Sequence, residues 1–297
     1  MVSVILPTYN RAQTLAQSVS SVLSQTFTNF ELIIVDDGSG DSTPEVVGSF
    51  RDPRIRYIRY PENRGAAHAR NVGLAESRGE LVAFQDSDDV WMPQKLEKQV
   101  AALGGARKGT ALVYSDMLRM EEDGTLAYFA APEVRKGVLA DPVTNDYQVF
   151  MLGLVTVLAA KRCLEEVGGF DESLTRYIDL DILARLALRY EFFHLKEPLA
   201  IYRCTKGISA DPYNSYISRS ILLRKFNSAS LCDRPFISRQ YHYMGLDLIS
   251  IGDYRKGVSC LLKAYRTYPG VIRHDINRLK GHLKVLFTPN KDGKRPS

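Results

Sequence analysis

Short apolar runs alternate with amphipathic stretches along residues 2–103. Four of these runs have the length and composition of buried parallel strands, and they lie at 2–6, 31–35, 55–59 and 81–85. Between them, apolar residues recur at helical spacing, and helices are predicted to begin near the N-cap Asn10, Thr43, Gly65 and Pro93. Strands that alternate with helices predict an α/β fold with a doubly wound, mainly parallel sheet.

The pattern changes after the apolar run that ends at Tyr114. A turn signal at 122–125 lies between two strand-like runs and predicts a hairpin, and 130–148 reads as a loop region. Two helices and a strand pair are then predicted at 161–167, 179–190 and 192–202. This second half is expected to form the other wall of a cleft. From Tyr216 onward the chain is predicted to be helical, with frayed residues 289–297.

The charge distribution divides the chain into two parts. The chain has 297 residues, of which 45% are hydrophobic, so it can bury a full core. Residues 214–297 contain 16 Lys and Arg against 5 Asp and Glu, a net +11, which leaves 23 against 29, or −6, for 1–213. We therefore predict a domain at 1–213, which divides into halves at 1–110 and 111–213, and a basic helical C-terminal extension at 214–297.

The same charges indicate which partners to expect. The acidic first part argues against a nucleic-acid groove, whereas the basic extension suits an anionic membrane surface. Its alternative interpretations are a solvated basic face or apolar helix faces that pack in a homodimer. The longest apolar run, 149–160, is too short for a bilayer span, which needs roughly 20 residues. The N-terminus enters a strand without a signal-peptide pattern, and the four cysteines form no C-x-x-C pair. A cytoplasmic protein, peripheral at the inner face of the cell membrane, is expected.

Three carboxylates, Asp86, Asp88 and Asp89, directly follow the fourth predicted strand. In open α/β sheets ligands bind at the carboxyl ends of strands, and clustered carboxylates there can hold a hard divalent cation together with phosphate oxygens. A diphosphate-bearing substrate is therefore indicated. The alternative is an acidic turn that caps the helix beginning near Pro93. The first strand-to-helix turn contains no glycine, which argues against a nicotinamide or flavin enzyme.

A series of motifs in order along the chain resembles the family 2 glycosyltransferases of GT-A fold. The motifs are Val4-Ile5-Leu6-Pro7-Thr8-Tyr9-Asn10, Ser21 to Thr26, Ile33-Ile34-Val35-Asp36-Asp37-Gly38-Ser39, Asn63-Arg64-Gly65 through Asn71, and Asp86-Ser87-Asp88-Asp89. The resemblance implies inverting transfer of one sugar from a nucleotide-diphosphate sugar, here a UDP-sugar, to a hydroxyl of a glycan or lipid-linked acceptor. It also implies a divalent cation, Mn²⁺ or Mg²⁺, and bacterial surface polysaccharide synthesis as the setting.

The resemblance also implies roles for individual residues of the donor site. The residues that would contact the donor are Pro7 and Tyr9 at the base, Asp37 at the ring N–H of the base, Arg70 at the phosphates, Asp86 at the ribose, and Asp88 at the cation.

Neighbouring residues have their own expected roles. Asp36 is interpreted as a cap of the following loop, and Asp89 as a helix-capping group or an outer partner of the cation. Arg64 is the alternative to Arg70, since both are placed on one predicted helix and face different directions. His68 could approach the diphosphate but is interpreted as a surface residue, and Trp91 is expected to pack beneath the acids.

The general base is expected from the second half of the chain. The segment 168–186 resembles the part of the family in which an aspartate at the start of a helix deprotonates the acceptor, and Asp179 occupies that position. Residues two apart on a helix point about 200° from each other, so Asp181 cannot share the cleft and is assigned as a structural partner of Arg185.

Two residues depart from the family pattern. Ile178 stands where the family usually has glutamate, and Thr205 where many relatives have histidine. These departures leave one alternative function open, a catalytically inactive nucleotide-sugar-binding homologue that acts as a scaffold or sensor. A nucleotidyltransferase is disfavoured because its glycine-rich, lysine-bearing N-terminal loop is absent from the sequence.

Overall fold

The computed structural model describes residues 1–134, 136–137, 152–204, 211–228 and 234–270. Thr205 and residues 289–297, for which predictions were made, lie outside these ranges. The chain divides into two compact units, Met1–Ala210 and Asp211–Ser297, with a boundary close to the one expected at 213/214.

One sheet forms the centre of the first unit. Its strands are β1 Val2–Thr8, β2 Phe30–Asp36, β3 Ile55–Arg59, β4 Leu81–Phe84, β5 Val90–Trp91, β6 Thr110–Met120, β7 Leu126–Phe129, β8 Val157–Ala160 and β9 Glu191–Arg203. Within the described residues their order is β3-β2-β1-β4-β8-β6-β9-β5, with β7 paired to β6. The helices of this unit are α1 Leu15–Leu23, α2 Thr43–Ser49, α3 Ala66–Glu76, α4 Lys95–Gly105, α5 Lys161–Glu166 and α6 Ile178–Ala187.

The first four strands confirm the predicted parallel sheet. β1 pairs in parallel with both β2 and β4, and β2 pairs in parallel with β3. Every residue of β1 and β2 is buried, as expected for central strands that are covered on both faces. The carboxyl ends of β1, β2 and β4 therefore meet at one edge of the sheet, and the segment 85–89 leaves from that edge.

The second half of this unit continues the same sheet rather than forming a separate wall. β8 pairs antiparallel with β4 and with β6, and β9 pairs in parallel with β6. The strand pair predicted at 192–202 is a single long strand, because the chain passes Pro198 through an irregularity in the β6 register instead of turning. The hairpin predicted at 122–125 is confirmed by β6 and β7.

Two helix boundaries differ from the predictions. α1 begins at Leu15 after Thr14, whereas Asn10 has a positive φ of 52° and accepts a hydrogen bond from the N–H of Gly40. Asn10 thus holds the loop together instead of capping the helix. α4 begins at Lys95, two residues later than expected, and β5, which pairs with β9, ends three residues before its N-cap Gln94. A strand of two residues is too short to produce a periodic pattern.

The second unit contains three helices within its described residues: α7 Pro212–Ser228, α8 Arg234–Ser250 and α9 Tyr254–Thr267. A Cβ atom on Gly245 of α8 would lie 2.9 Å from the carbonyl oxygen of Gly257 on α9, so the two backbones cross in contact. None of the described helices is long and apolar enough to cross a membrane.

A fully buried lysine lies in the core of the first unit. Lys95 has no exposed surface, its Nζ donates to Gln99 Oε1 at 2.7 Å, and it lies 4.1 Å from the ring centre of Trp91. Trp91 is buried as predicted, and its indole N–H donates to the carbonyl of Val155. Burial lowers the pKa of Lys95 well below its ordinary value because the charged form loses its hydration.

Lys95→Met is expected to remove part of the pH dependence of stability. In the wild type the unfolded chain binds a proton at Lys95 that the folded chain does not bind above the lowered pKa, so stability rises with pH towards the ordinary lysine pKa. The free energy of unfolding of the variant relative to wild type should therefore increase as pH falls, by at most ~1.4 kcal/mol per pH unit. Denaturant unfolding at neutral and alkaline pH measures this, and the exposed Lys108→Met is the control. Equal slopes in Lys95→Met and wild type would mean that Lys95 stays charged when buried.

Candidate active site

The residues expected at the nucleotide base lie at the carboxyl end of β1. Pro7 is buried within the strand, and Tyr9, the first residue past its end, is 37% exposed. An exposed ring at this edge offers a face on which a nucleobase can stack. The structure therefore places both residues at the carboxyl edge of the sheet.

The two acids after β2 have different surroundings. Asp36 is fully buried, and its Oδ1 accepts the N–H of Ser39 while its Oδ2 accepts the hydroxyl of Tyr57. This is the loop-capping role predicted for Asp36. Asp37 accepts the backbone N–H groups of Arg64 and Gly65, one on each carboxylate oxygen, at 2.7 and 2.8 Å. Each oxygen keeps a second lone pair, so the carboxylate can still accept a donor from a ligand.

The two candidate arginines are not on the same helix, which corrects the argument used to choose between them. α3 begins at Ala66 after the N-cap Gly65, so Arg64 belongs to the preceding loop and its direction does not follow from helical periodicity. Its side chain is exposed. Arg70 lies within α3 and is 9% exposed, with its Nη2 donating to Asp86 Oδ1 at 2.6 Å.

Arg70 is held in place at the carboxyl edge of the sheet. Its guanidinium lies 6.0 Å from the ring centre of Phe170, which packs edge-on against Phe84 at the end of β4. Among the described residues its Nε has no hydrogen-bond partner although it is buried. A buried donor without a partner is costly, so a ligand that accepts from Arg70 would relieve that cost.

The remaining acids of the cluster after β4 differ in exposure. The side chain of Asp88 is 18% exposed, and its Oδ2 lies 3.6 Å from Arg11 Nη2. Asp89 is 1% exposed and accepts the backbone N–H of Arg203 at 2.9 Å. Since α4 begins only at Lys95, the helix-capping interpretation of Asp89 is wrong, and its carboxylate instead fastens the end of β9 to the acidic turn.

The electrostatics of this cluster fit a bound cation. The pKa of Asp89 is raised well above its ordinary value, first by burial and then by the negative charges of Asp86 and Asp88. The pKa of Tyr202 is raised to about 12, by burial first and then by the negative charges of Asp89 and Asp86. No group of three His, Cys, Asp or Glu side chains able to hold a metal occurs among the described residues. This arrangement suits a hard divalent cation that takes one or two carboxylates and completes its shell with donor phosphates and water.

The predicted base lies in the first turn of α6. Asp179 is half-buried, and its Oδ1 accepts the N–H of Leu180 at 2.9 Å. Its pKa is raised from the ordinary value by burial, while the positive charge of Arg70 lowers it and the negative charge of Asp86 raises it further. These influences show that Asp179, Arg70 and Asp86 lie close enough to share one electrostatic environment. Arg70 and Asp179 are 109 positions apart in the sequence, and the fold brings them together.

Asp181 has the structural role that was predicted from the helix face. It is fully buried, and Arg185 Nε and Nη2 both donate to its Oδ2, at 2.9 and 2.5 Å. The guanidinium of Arg185 also donates to the carbonyls of Val167 and Gly169. The pair therefore fixes the turn that precedes α6.

Asn71 is a residue whose contribution the sequence analysis missed. Its amide group donates to the carbonyl of Phe170 at 2.9 Å and to Glu172 Oε1 at 2.8 Å, and its Oδ1 accepts the N–H of Phe170 at 2.8 Å. His68, one turn earlier, pairs with Glu172, and its side chain is 14% exposed, so it is less exposed than the surface residue that was expected. The one signal that the sequence offered for Asn71 is its position directly after Arg70, at the end of the motif that begins at Asn63.

Asn71→Ala is expected to lower the free energy of unfolding by about 1–3 kcal/mol, because the N–H and C=O of Phe170 lose their partners. Thermal or denaturant unfolding measures the change, and the exposed Asn63→Ala is the matched control. A variant as stable as the control would show that water replaces the Asn71 contacts at no cost.

The described part of β9 ends beside the acidic turn. Cys204 follows the strand, and its Sγ accepts a hydrogen bond from Arg119 Nη2 at 3.3 Å. Thr205 lies outside the described residues, so the effect of a threonine in place of the family histidine stays a sequence-based prediction. Ile178, the other departure, is 9% exposed at the start of α6 and thus contributes to packing.

Comparison with known proteins gives relatives of one kind. The family model described as glycosyl transferase family 2 matches residues 3–124. The UDP-Glc:alpha-D-GlcNAc-diphosphoundecaprenol beta-1,3-glucosyltransferase WfgD of Escherichia coli is 38% identical over 133 residues, 45% of this chain and 52% of that protein. The chain thus matches about half the length of this relative. TuaG of Bacillus subtilis, provisionally named as a teichuronic acid biosynthesis glycosyltransferase, is 41% identical over 244 residues, 78% of this chain and 92% of that protein.

Solved structures with the same fold include two that were determined with donors. Staphylococcus aureus TarS 1–349 in complex with UDP-GlcNAc has a TM-score of 0.62 at 19% identity, over 93% of this chain and 91% of that one. The mannosyltransferase PcManGT from Pyrobaculum calidifontis in complex with GDP-Man and Mn²⁺ has a TM-score of 0.56, over 96% of this chain and 80% of that one. These likenesses confirm the GT-A fold. The identity with TuaG over nearly its whole length, together with the family model, shows that the chain belongs to glycosyltransferase family 2.

Proposed function

We propose that this protein transfers one sugar, with inversion, from a UDP-sugar to a hydroxyl of a glycan or lipid-linked acceptor in bacterial surface polysaccharide synthesis. The observation that supports this most is the placement of Arg70, Asp86 and Asp179 at one edge of the sheet, beside the partly exposed carboxylate of Asp88. Such a transfer requires three groups close to one another: a cationic side chain for the phosphates, a hydrogen-bond acceptor for the ribose and a general base.

Donor binding follows from the groups at the sheet edge. The ring of Tyr9 stacks on the nucleobase of the donor. The carboxylate of Asp37 accepts the ring N–H of that nucleobase. The guanidinium of Arg70 supplies positive charge to the diphosphate, and Asp86 accepts a ribose hydroxyl while keeping its ion pair with Arg70. A divalent cation bound at Asp88 supplies neutralisation of the charge that grows on the leaving diphosphate.

The chemical step requires a base on the face of the sugar opposite the leaving group. Asp179 takes the proton of the acceptor hydroxyl while its oxygen attacks the anomeric carbon, and the bond to the diphosphate breaks. One displacement inverts the anomeric centre. The raised pKa of Asp179 makes its carboxylate a stronger base than an ordinary aspartate, which favours this role.

The relatives guide the choice of donor and acceptor. WfgD is named for UDP-Glc and for a diphosphoundecaprenol-linked acceptor, and TarS was solved with UDP-GlcNAc. PcManGT was solved with GDP-Man, so a guanine nucleotide is the alternative donor class. A UDP-hexose and a polyprenyl-diphosphate-linked sugar are therefore the first pair to test.

The test is release of nucleoside diphosphate and formation of a glycosylated product. Purified protein with Mn²⁺ is incubated with a panel of UDP- and GDP-sugars, with and without a polyprenyl-diphosphate-linked sugar, and the anomeric configuration of the product is read by NMR. We expect acceptor-dependent release of UDP and an inverted linkage. Donor binding by thermal shift without turnover on any acceptor would favour the inactive, sugar-nucleotide-binding homologue instead.

A further inference from the structure

The last described helix has one face turned to its own unit and one face turned outward. Gly257 and Ala264 of α9 are buried, Gly257 against α8. A second face, roughly 100° around the helix from the buried one, exposes four large side chains: Tyr254 at 66%, Val258 at 49%, Leu262 at 51% and Tyr265 at 51%. We call these four residues the outer stripe of α9. At 100° per residue they fall within about 80° of the helix circumference, so they form one continuous apolar strip.

Positive charge flanks the outer stripe. Arg255, Lys263 and Arg266 are exposed on α9, and the helix from Tyr254 to Thr267 contains no acidic residue. Asp253, at the N-cap, is paired with Lys256. The two tyrosines stand at the ends of the stripe, with the aliphatic residues between them. An apolar strip bordered by cations, with tyrosines that bury a ring while keeping a hydroxyl in water, is typical of helices that lie in a membrane interface.

Charge decides which partner fits this face. A second copy would bring two basic helices together within a region that already carries a net +11 from Asn214 onward, and like charges at an interface oppose association. An anionic lipid surface attracts the same cations and also accepts the apolar side chains. The composition of α9 therefore favours lipid over a copy of this chain.

We propose that the outer stripe of α9 and its flanking cations dock the protein on an anionic lipid bilayer. This deepens the proposed function and rests on it in one respect, since a lipid-linked acceptor gives the enzyme a reason to be at a membrane. The docking itself depends on neither the donor nor the acceptor. Its test therefore measures lipid binding and not sugar transfer.

The experiment is vesicle co-sedimentation of the full chain. Vesicles of phosphatidylcholine alone are compared with vesicles that also contain phosphatidylglycerol, at low and high salt. We expect binding to the anionic vesicles, weakening with salt, and little binding to the neutral ones. Equal binding to both kinds of vesicle, or no binding at low salt, would overturn the proposal.

Two double variants separate the apolar and the electrostatic contributions. Val258→Asp/Leu262→Asp interrupts the stripe, and Arg255→Glu/Arg266→Glu reverses two of its flanking charges. Each is expected to weaken binding to anionic vesicles about tenfold or more. The matched controls are Leu126→Asp, at a leucine of β7 that is 48% exposed, and Arg107→Glu/Lys108→Glu, at exposed residues of the first unit. A loss in the controls equal to that in the α9 variants would refute a role for α9.

Two further measurements keep the result separate from the proposed function. Thermal shift with UDP-sugars should be the same for wild type and the α9 variants, because the outer stripe is remote in sequence from the donor motifs. Sedimentation velocity without lipid should show a monomer. A wild-type dimer that the Val258→Asp/Leu262→Asp variant abolishes would assign the stripe to a second copy and overturn the lipid proposal.

Discussion

Asp179→Asn is expected to lower kcat by ~10²–10⁴ while donor affinity stays unchanged. Asparagine keeps the size of the side chain and can still accept the N–H of Leu180, but it cannot take a proton from the acceptor. The donor groups on β1, β2 and α3 are untouched, so UDP-sugar binding should persist. Single-turnover kinetics together with donor titration by calorimetry measure the two effects separately.

The neighbouring acid on the same helix is the control. Asp181→Asn leaves Arg185 buried beside an uncharged amide, and removing one partner of a buried ion pair typically costs 3–5 kcal/mol of stability. This variant should melt at a lower temperature but keep its turnover per folded molecule. If Asp181→Asn were catalytically dead at a temperature where it is folded, and Asp179→Asn were active, the assignment of the two helix faces would be reversed.

The pH dependence of kcat offers an independent check on Asp179. A base must be deprotonated to act, so activity falls as pH drops through its pKa, and the raised pKa places this acidic limb above the ordinary range of aspartate. Arg70 holds that pKa down, so Arg70→Gln should move the limb to higher pH, in addition to weakening donor binding. A limb that does not move in Arg70→Gln would show that the titrating group is not Asp179.

The parallel half of the fold could be predicted because its central strands, β1 and β2, are buried on both faces. A strand of this kind appears as an uninterrupted apolar run, and the four runs found in the sequence correspond to β1–β4. The alternating helices and the right-handed crossover rule then leave few arrangements. By contrast, β5 consists of Val90 and Trp91, and its pairing with β9 depends on residues more than a hundred positions away. No local pattern encodes that contact.

The candidate site shows the same limit. Helical periodicity separated Asp179 from Asp181 correctly, because both residues lie within α6 and their directions follow from the helix alone. The same reasoning failed for Arg64, which lies outside α3. The helix-capping interpretation of Asp89 failed because its carboxylate contacts the backbone of Arg203 on a distant strand. Contacts that join segments far apart in sequence depend on tertiary packing, and periodicity carries no information about them.

Asp88→Asn is expected to abolish transfer, with a fall in kcat of roughly 10³-fold or more, since a cation that stabilises the leaving group contributes several kcal/mol. The substitution keeps the volume of the side chain and removes its charge. The side chain of Asp88 is 18% exposed, and its Oδ2 lies 3.6 Å from Arg11 Nη2. Arg11 is a monovalent group, and it would not replace the charge of a divalent cation held at Asp88.

The decisive measurement for Asp88 is thermal stabilisation by donor with and without Mn²⁺. In wild type we expect UDP-sugar and Mn²⁺ together to raise the melting temperature more than either alone, because the cation is held partly by the protein and partly by the phosphates. Asp88→Asn should lose this synergy, whereas Glu62→Gln, an exposed acid in the loop before α3, should keep it. Synergy that survives in Asp88→Asn would move the cation to another residue of the turn. Asp86 would then be the first to test, because its side chain is 31% exposed at the same edge of the sheet.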